Sequence, residues 1–554
     1  MRHTMMRYEL TLTSMFRRAA EHYANTEIVS RKPDKSIDRR TFGDFDRRAR
    51  QLASALRKAG CKKGDCIATL MWNHYAHLEA YFGIPIAGCV LHTLNLRLHP
   101  DEIAFIFGHE MGHYRLNHIP IGLAFAADRF VIVDDVLWPL FDKVRAKAKF
   151  EKVIVLRLTG APLPEGTVDY EDFLRSGDAS DPLPDLSEDD AMGLCYTSGT
   201  TGKPKGVCYS HRSIALHSLG ASLSDTLGLS RRDTILPVVP MFHANAWGIP
   251  FAAIMIGAKL VMPGPHLDGE SLLELFEKEK VTLAAGVPTI WLGILQALDK
   301  EPKRWLLTKD MRMVVGGSAA PESVIRGLDK HGLRVVHAWG MTETAPLGSV
   351  SHLAPYMDDW SEDDKYAHRA KQGIAPPFVE LRAVSDTGVV PHDGKSPGEL
   401  EVRGAWVAGS YVPPSDENAI KWTKDGWFKT GDVVTIDGGG CIKVTDRTKD
   451  LIKSGGEWIS SIDLENLIMG HPAVKEAAVI AVPHPKWDER PLAVVVLKDG
   501  ASASEADLRA FVAAKVAKFQ VPDAFVFAAS IPKTSAGKFL KSALRDQYKD
   551  HKLG

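Results

Sequence analysis

The sequence predicts an α/β protein in two parts: a large N-terminal domain of layered α/β subdomains with a β-rich lobe, residues 1–446, and a small α+β domain, residues 447–554. Three observations carry this. Short β-rich apolar runs alternate with helical periodicity for most of the chain, the pattern of largely parallel sheets covered by helices. After about residue 390 the pattern becomes strands joined by glycine turns. Past Arg447 a compact set of helix, strand, strand and helix follows.

In order, Ala49–Arg57 spaces its apolar residues three and four apart and reads as a helix, and Asp65–Met71 reads as a short buried strand. Strand-like runs recur at Arg129–Asp134, Lys152–Leu156, Lys259–Met262, Arg312–Val315 and Arg334–His337. Gly398–Gly404 and Val433–Val444 supply the strands of the lobe, the second interrupted by Gly438-Gly-Gly440. The C-terminal part has a helix at Ile462–Gly470, strands at Glu476–Val482 and Pro491–Leu497, and a helix at Glu505–Ala517. No fixed-period repeat and no long low-complexity segment interrupts this order.

Composition excludes several classes. With 45% hydrophobic and 25% charged residues over 554 positions, the chain is neither disordered nor fibrous. Its 68 basic and 69 acidic side chains nearly cancel, so the basic excess of a nucleic-acid binder is missing. The cysteines Cys61, Cys66, Cys89, Cys195, Cys208 and Cys441 form no CxxC pair and read as reduced thiols of a cytoplasmic protein. The opening Met1–Leu10 lacks the apolar core of a signal peptide. No uncharged apolar run reaches the roughly 18 to 20 residues of a membrane span, which leaves peripheral membrane contact open.

Tyr196-Thr-Ser-Gly-Thr-Thr-Gly-Lys-Pro-Lys-Gly206 is the most informative segment. Gly199, Gly202 and Gly206 let backbone amides approach an anion. The hydroxyls of Thr197, Ser198, Thr200 and Thr201 add donors, and Lys203 and Lys205 add charge. It is not a Walker A loop, because Gly199 and Gly202 lie too close together and Pro204 follows Lys203 where Ser or Thr is required.

This segment resembles the phosphate loop of the adenylate-forming superfamily of acyl-CoA synthetases, adenylation domains and luciferases. Further matches follow in the family's order: Pro240–Trp247, Gly316–Pro321, Trp339–Thr344, Gly398–Gly404, Phe428–Asp432, Asp446–Trp458 and Pro532–Lys538. Within the superfamily the likeness is greatest to bacterial long-chain fatty acyl-CoA synthetases, through His243–Trp247 and Ser454–Trp458.

The resemblance implies a two-step reaction: a fatty acid attacks ATP to give acyl-AMP and pyrophosphate, and coenzyme A then displaces AMP. A ligase for a short thioether acid or an aryl acid is the close alternative. Lys538 is expected to bridge the carboxylate and the α-phosphate, and Thr342 to hydrogen-bond the α-phosphate. Glu343 and Thr197 are expected to hold Mg2+, a hard cation that takes oxygen ligands. Asp432 would accept both ribose hydroxyls, and Arg447 would contact the ribose or phosphate side. Trp339, where the family often has Tyr, would stack on adenine while lacking the hydroxyl. Gly317, Ser318 and Ala319 would line the nucleotide pocket. His243 counts with the catalytic set, while Trp247, with Gly340 beside the acyl site, matches a tryptophan that gates the fatty-acid tunnel. Lys449 falls at the hinge about which a mobile C-terminal domain turns, with Lys453 and Trp458 on the segment that turns with it. A homodimer is expected on the same likeness.

One segment departs from that pattern. Gly108–His118 carries HExxH inside an atypical insertion near 107–127, so His109 and His113 could bind zinc with Glu110 as base. A peptidase also needs a third ligand. Leu116 stands where the extended pattern has Gly, Ile119 where it has the third His, and His118 is one residue out of phase. The expectation is a surface helix with incidental histidines, with a zinc metallopeptidase the remote alternative.

Overall fold

The computed structural model describes residues 4–104, 106, 128–197, 204–412, 416–455, 457–533, 538–549 and 551. The HExxH segment with His109 and His113, and Ser198–Lys203 of the glycine-rich loop, lie outside them. No helix among the described residues is long and apolar enough to cross a membrane.

The described strands form four sheets. One has eight strands in the order Leu347–Val350, Leu333–Gly340, Met311–Val315, Leu283–Gly286, Thr234–Pro237, Lys259–Met262, Glu27–Arg31 and Ile37–Thr41. It is parallel except for its two edge strands. A seven-stranded sheet runs Val168–Asp169, Lys152–Leu156, Phe130–Asp134, Cys66–Leu70, Val90–Thr93, Ala191–Tyr196 and Gly206–Ser210, with only the last strand antiparallel. The strands predicted between helices all fall in these two sheets. The lobe is a five-stranded antiparallel sheet ending in Phe428–Ile436 and Ile442–Arg447, joined through the predicted glycine turn. The last sheet pairs Val474–His484 with Asp488–Leu497 and adds Ala524–Phe527 in parallel.

Helix ends follow their caps. Phe42–Lys58 begins at Thr41, whose hydroxyl accepts from the Asp44 amide while the Asp44 carboxylate accepts from the Thr41 amide. Its apolar face enters the main core through Phe45, Leu52 and Leu56. Tyr75–Ile86 is buried on every side and so carries no amphipathic period. The helix predicted to run from Glu505 to Ala517 ends at Ala513. There the Lys515 amide bonds three residues back to Val512, tightening the turn before the chain reverses into Ala524–Phe527. The last sheet packs two apolar cores of its own, around Ile468, Val479 and Leu508 on one face and around Ile480, Val494 and Leu544 on the other.

Candidate active site

Strands of the eight-stranded sheet and the lobe, the ends of the glycine-rich loop and the helices Ser461–Met469 and Lys541–Gln547 line one cavity of about 560 Å3. Part of its lining is polar. Asp432, on the lobe strand Phe428–Ile436, is 5% exposed and fixed from both sides. The Trp339 indole N–H donates to its Oδ2 at 2.8 Å, and the Arg447 guanidinium lies 3.2 Å from its Oδ1. Trp339 sits near the end of the long strand Leu333–Gly340 and Arg447 at the end of the neighbouring lobe strand, so the cluster joins two sheets. The backbone closes tightly here: a Cβ on Gly340 would lie 1.7 Å from the Pro346 carbonyl oxygen, so only glycine fits.

Glu343 follows Gly340 in a short 3-10 turn. Its Oε1 accepts from the Tyr411 hydroxyl at 2.6 Å, and its carbonyl from the Ala408 amide at 2.8 Å. The Thr342 carbonyl accepts from the buried Tyr209 hydroxyl. Lys205 packs its ammonium 5.2 Å from the Tyr411 ring. The two ends of the glycine-rich loop are pinned together, since the Thr197 amide donates to the Lys205 carbonyl at 2.8 Å and the Lys205 amide to the Thr197 hydroxyl at 3.2 Å.

The same cavity has apolar walls, among them Leu227, Trp247, Pro288, Leu292 and Val314. Trp247 closes a left-handed turn: Ala244, Asn245, Ala246 and Trp247 have φ of 43, 54, 49 and 58°, and Gly248 follows at 70°. Its ring lies over Gly316, where an added Cβ would meet Cη2 at 3.0 Å.

Lys538 enters from the C-terminal part and reaches the same cavity, its Cε 3.4 Å from where a Cβ on Gly317 would stand. Burial first, and then the Arg447 guanidinium, push its ammonium down to about 8, against the opposing pull of Asp432 and Glu343. His243, half-buried at the start of the left-handed turn, is pushed down to about 4 by burial and then by the Lys538 and Arg97 cations, so it is neutral near pH 7. The helix Lys541–Gln547 that follows Lys538 is tied to the stretch before the last sheet. Lys541 donates to Ser461 at 2.5 Å and pairs with Glu465 at 2.8 Å, and Arg545 pairs with Asp450 at 2.7 Å. Asp446 accepts from both the amide and the hydroxyl of Ser461.

Thus Thr197, His243, Trp247, Gly317, Ser318, Ala319, Trp339, Gly340, Thr342, Glu343, Asp432, Arg447, Lys449 and Lys538 share the cavity wall. Lys453 and Trp458 do not line it. They face one another across the hairpin Ile452–Ser454 and Glu457–Ile459, the ammonium 5.1 Å from a half-exposed indole. The sequence reading missed Tyr411, Tyr209, Lys541 and Arg545. None sits in a recognisable motif, and their partners lie 68 to 133 positions away.

The model of the AMP-binding enzyme family matches residues 16–412, and that of the AMP-binding enzyme C-terminal domain matches residues 463–538. A long-chain-fatty-acid–CoA ligase of Thermus thermophilus is 47% identical over 549 residues, covering 99% of this chain and 97% of that one. A 3-methylmercaptopropionyl-CoA ligase of Ruegeria pomeroyi is 43% identical over 99% of this chain and 98% of that one. Among solved structures, an anthranilate CoA ligase in complex with anthranoyl-AMP shares the fold at a TM-score of 0.84, with 24% identity and 98% of each chain covered. The chain belongs to the AMP-binding enzyme family of adenylate-forming proteins and is an acid–thiol CoA ligase.

Proposed function

We propose that the acid is a fatty acid, adenylated with ATP and Mg2+ and then transferred to coenzyme A. The observation that carries this is that one cavity is lined both by the Asp432–Trp339–Arg447 cluster and by the apolar side chains of Leu227, Trp247, Leu292 and Val314. A nucleotide held by the cluster leaves the apolar walls for a hydrocarbon chain, with Lys538 between anionic groups.

In the first step the carboxylate oxygen bonds to the α-phosphorus and the bond to pyrophosphate breaks. Lys538 would neutralise the carboxylate and α-phosphate as they approach, and Thr342 would donate to the α-phosphate. Asp432 keeps lone pairs for ribose hydroxyls beside those used by Trp339 and Arg447. The Trp339 ring would stack on adenine, and Gly317, Ser318 and Ala319 would bound the nucleotide. Mg2+ suits the donors present, since Glu343 keeps its Oε2 while Tyr411 holds Oε1, and Thr197 adds a hydroxyl. When bound, the cation lowers the negative charge of the phosphates. Neutral His243 adds no charge where the acid enters.

In the second step the thiolate of coenzyme A bonds to the acyl carbon and AMP leaves. Rotation of residues 447–554 about Lys449 would withdraw Lys538 and turn Lys453 and Trp458 towards the thioester site. The matched relatives act on a long-chain fatty acid and on a short thioether acid, so the test compares acids. Pyrophosphate release should be followed across straight-chain acids from butyrate to stearate, 3-(methylthio)propionate and benzoate, with and without coenzyme A. Fastest turnover with a straight-chain acid supports the reading. Fastest turnover with the thioether or aryl acid overturns it.

A further inference from the structure

Away from the cavity, three residues from two separated segments bring metal-ligand chemistry together. His368 comes from the helix Glu362–Arg369, and Asp437 and Cys441 bracket the turn between the last two lobe strands. A ring nitrogen, a carboxylate oxygen and a thiol sulfur all lie within 4.8 Å of one another. Among the described residues this is the one group of three such donors at that spacing.

His368 is 6% exposed, and its Nδ1 is buried with no hydrogen-bond partner, while its Nε2 sits 3.2 Å from the His352 carbonyl. A buried ring nitrogen left unmatched is costly, and it is what a cation would satisfy. Cys441 is 2% exposed. Asp437 Oδ1 accepts from the Gly439 and Cys441 amides, which fixes the carboxylate, and its Oδ2 pairs with Lys371 at 2.8 Å. Lys371 is therefore the cation now beside the cluster. Both Lys371 and Asp437 are partly exposed to solvent.

We propose that His368, Asp437 and Cys441 form a site for a thiophilic divalent cation of the zinc class, distinct from the nucleotide cavity and taken up as Lys371 swings away. Imidazole, carboxylate and thiolate are the donor set such ions select, with a fourth position left for water. On binding, the Cys441 sulfur gives its proton to solvent and forms the metal–sulfur bond. The site would staple residues 368–372 to the lobe hairpin, where the Gln372 amide already donates to the Ile442 carbonyl at 3.0 Å and the Val444 amide to the Gln372 side chain at 2.6 Å. That hairpin carries Asp432 and Arg447, so the metal would stiffen the frame of the nucleotide end rather than take part in the reaction.

The test uses the full chain stripped with a chelator and titrated with Co2+, then with Zn2+. One equivalent of Co2+ should bind with a thiolate-to-cobalt charge-transfer band, and Zn2+ should displace it. Zn2+ should also raise the melting temperature. Cys441→Ser should abolish the band and the thermal shift while still releasing pyrophosphate from ATP and a fatty acid, which shows that it is folded. Lys371→Met, at a half-exposed position, should tighten Co2+ binding by about tenfold or more, because the competing cation is gone. The proposal is overturned if the wild-type chain shows no such band or if the band survives in Cys441→Ser. It is equally overturned if the band disappears in a His109→Ala/His113→Ala variant, or if Lys371→Met leaves the affinity unchanged.

Discussion

The two walls of the cavity are built on different principles. The wall carried by the first two sheets and the lobe fixes its polar groups in place: Asp432 is held by Trp339 and Arg447, Glu343 by Tyr411, and Thr342 through its carbonyl by Tyr209. The C-terminal wall brings Lys538 in buried and beside another cation, Arg447, and burial first and then that charge lower its ammonium to about 8. On the proposed function, the first wall would receive the nucleotide with its polar groups already set. The second contributes a charge that is costly to hold there until anions arrive. A group whose presence is favourable only with the phosphates bound suits a domain that comes and goes.

The largest expected effect separates the two walls by reaction step. Lys538→Ala should slow adenylation on the order of 10²-fold or more, as removal of one transition-state charge donor does. Supplied with preformed acyl-AMP and coenzyme A, the same variant should form thioester at nearly the normal rate. Equal losses in both assays would mean that the lysine serves both steps or supports the fold. Lys449→Pro should do the reverse, since proline fixes φ at the hinge: adenylation retained, thioester formation impaired by about tenfold or more. Normal thioester formation would remove Lys449 from the hinge.

Next comes pH. The Lys538 ammonium is complete below its folded value of about 8 and is lost above it, so kcat/KM for ATP in pyrophosphate release should fall as pH rises through about 8. His243, at about 4, stays neutral across this range and adds no limb. Lys538→Arg keeps its charge, so its profile should stay flat through the same interval, at whatever rate it retains. A limb that persists unchanged in the arginine variant belongs to another group.

Two smaller effects sharpen the contrast within the fixed wall. Trp247→Ala should alter the ranking of acids by chain length several-fold while leaving KM for ATP nearly unchanged, because it removes an apolar surface from the cavity wall. Trp339→Phe keeps a ring over the nucleotide end and removes the N–H that Asp432 accepts. It should raise KM for ATP roughly fivefold, the equivalent of about 1 kcal/mol for one hydrogen bond. If Trp339→Phe shifts acid preference instead, the polar and apolar walls act less separately than proposed.

How much of this was legible depends on how local its cause is. Strands such as Phe130–Asp134 and Lys259–Met262 were readable because short apolar runs between helices have one good solution, a buried parallel sheet. The helix Tyr75–Ile86 gave no signal, since burial on all sides removes the period that marks a half-buried helix. In the site, Asp432, Glu343 and Lys538 were found through ordered motifs. Tyr411 and Arg545 were not, because each is chosen by a partner that only tertiary approach brings near. The cluster at Cys441 was likewise hidden, since His368 and Asp437 are 69 positions apart.

The left-handed turn at Ala244–Gly248 limits how such an enzyme diversifies. Each non-glycine residue held at positive φ costs roughly 1 kcal/mol or more, and β-branched or bulky side chains cost most. Substitution along this turn is therefore steeply filtered, which keeps Trp247 at a constant pitch over Gly316. The cavity walls at Leu227 and Leu292 carry no such strain and are freer to change, while any side chain at Gly316 would press on the indole. On the proposed function, the depth of the acyl end would be retuned by changing the lining, while the turn that seats the indole tolerates few replacements.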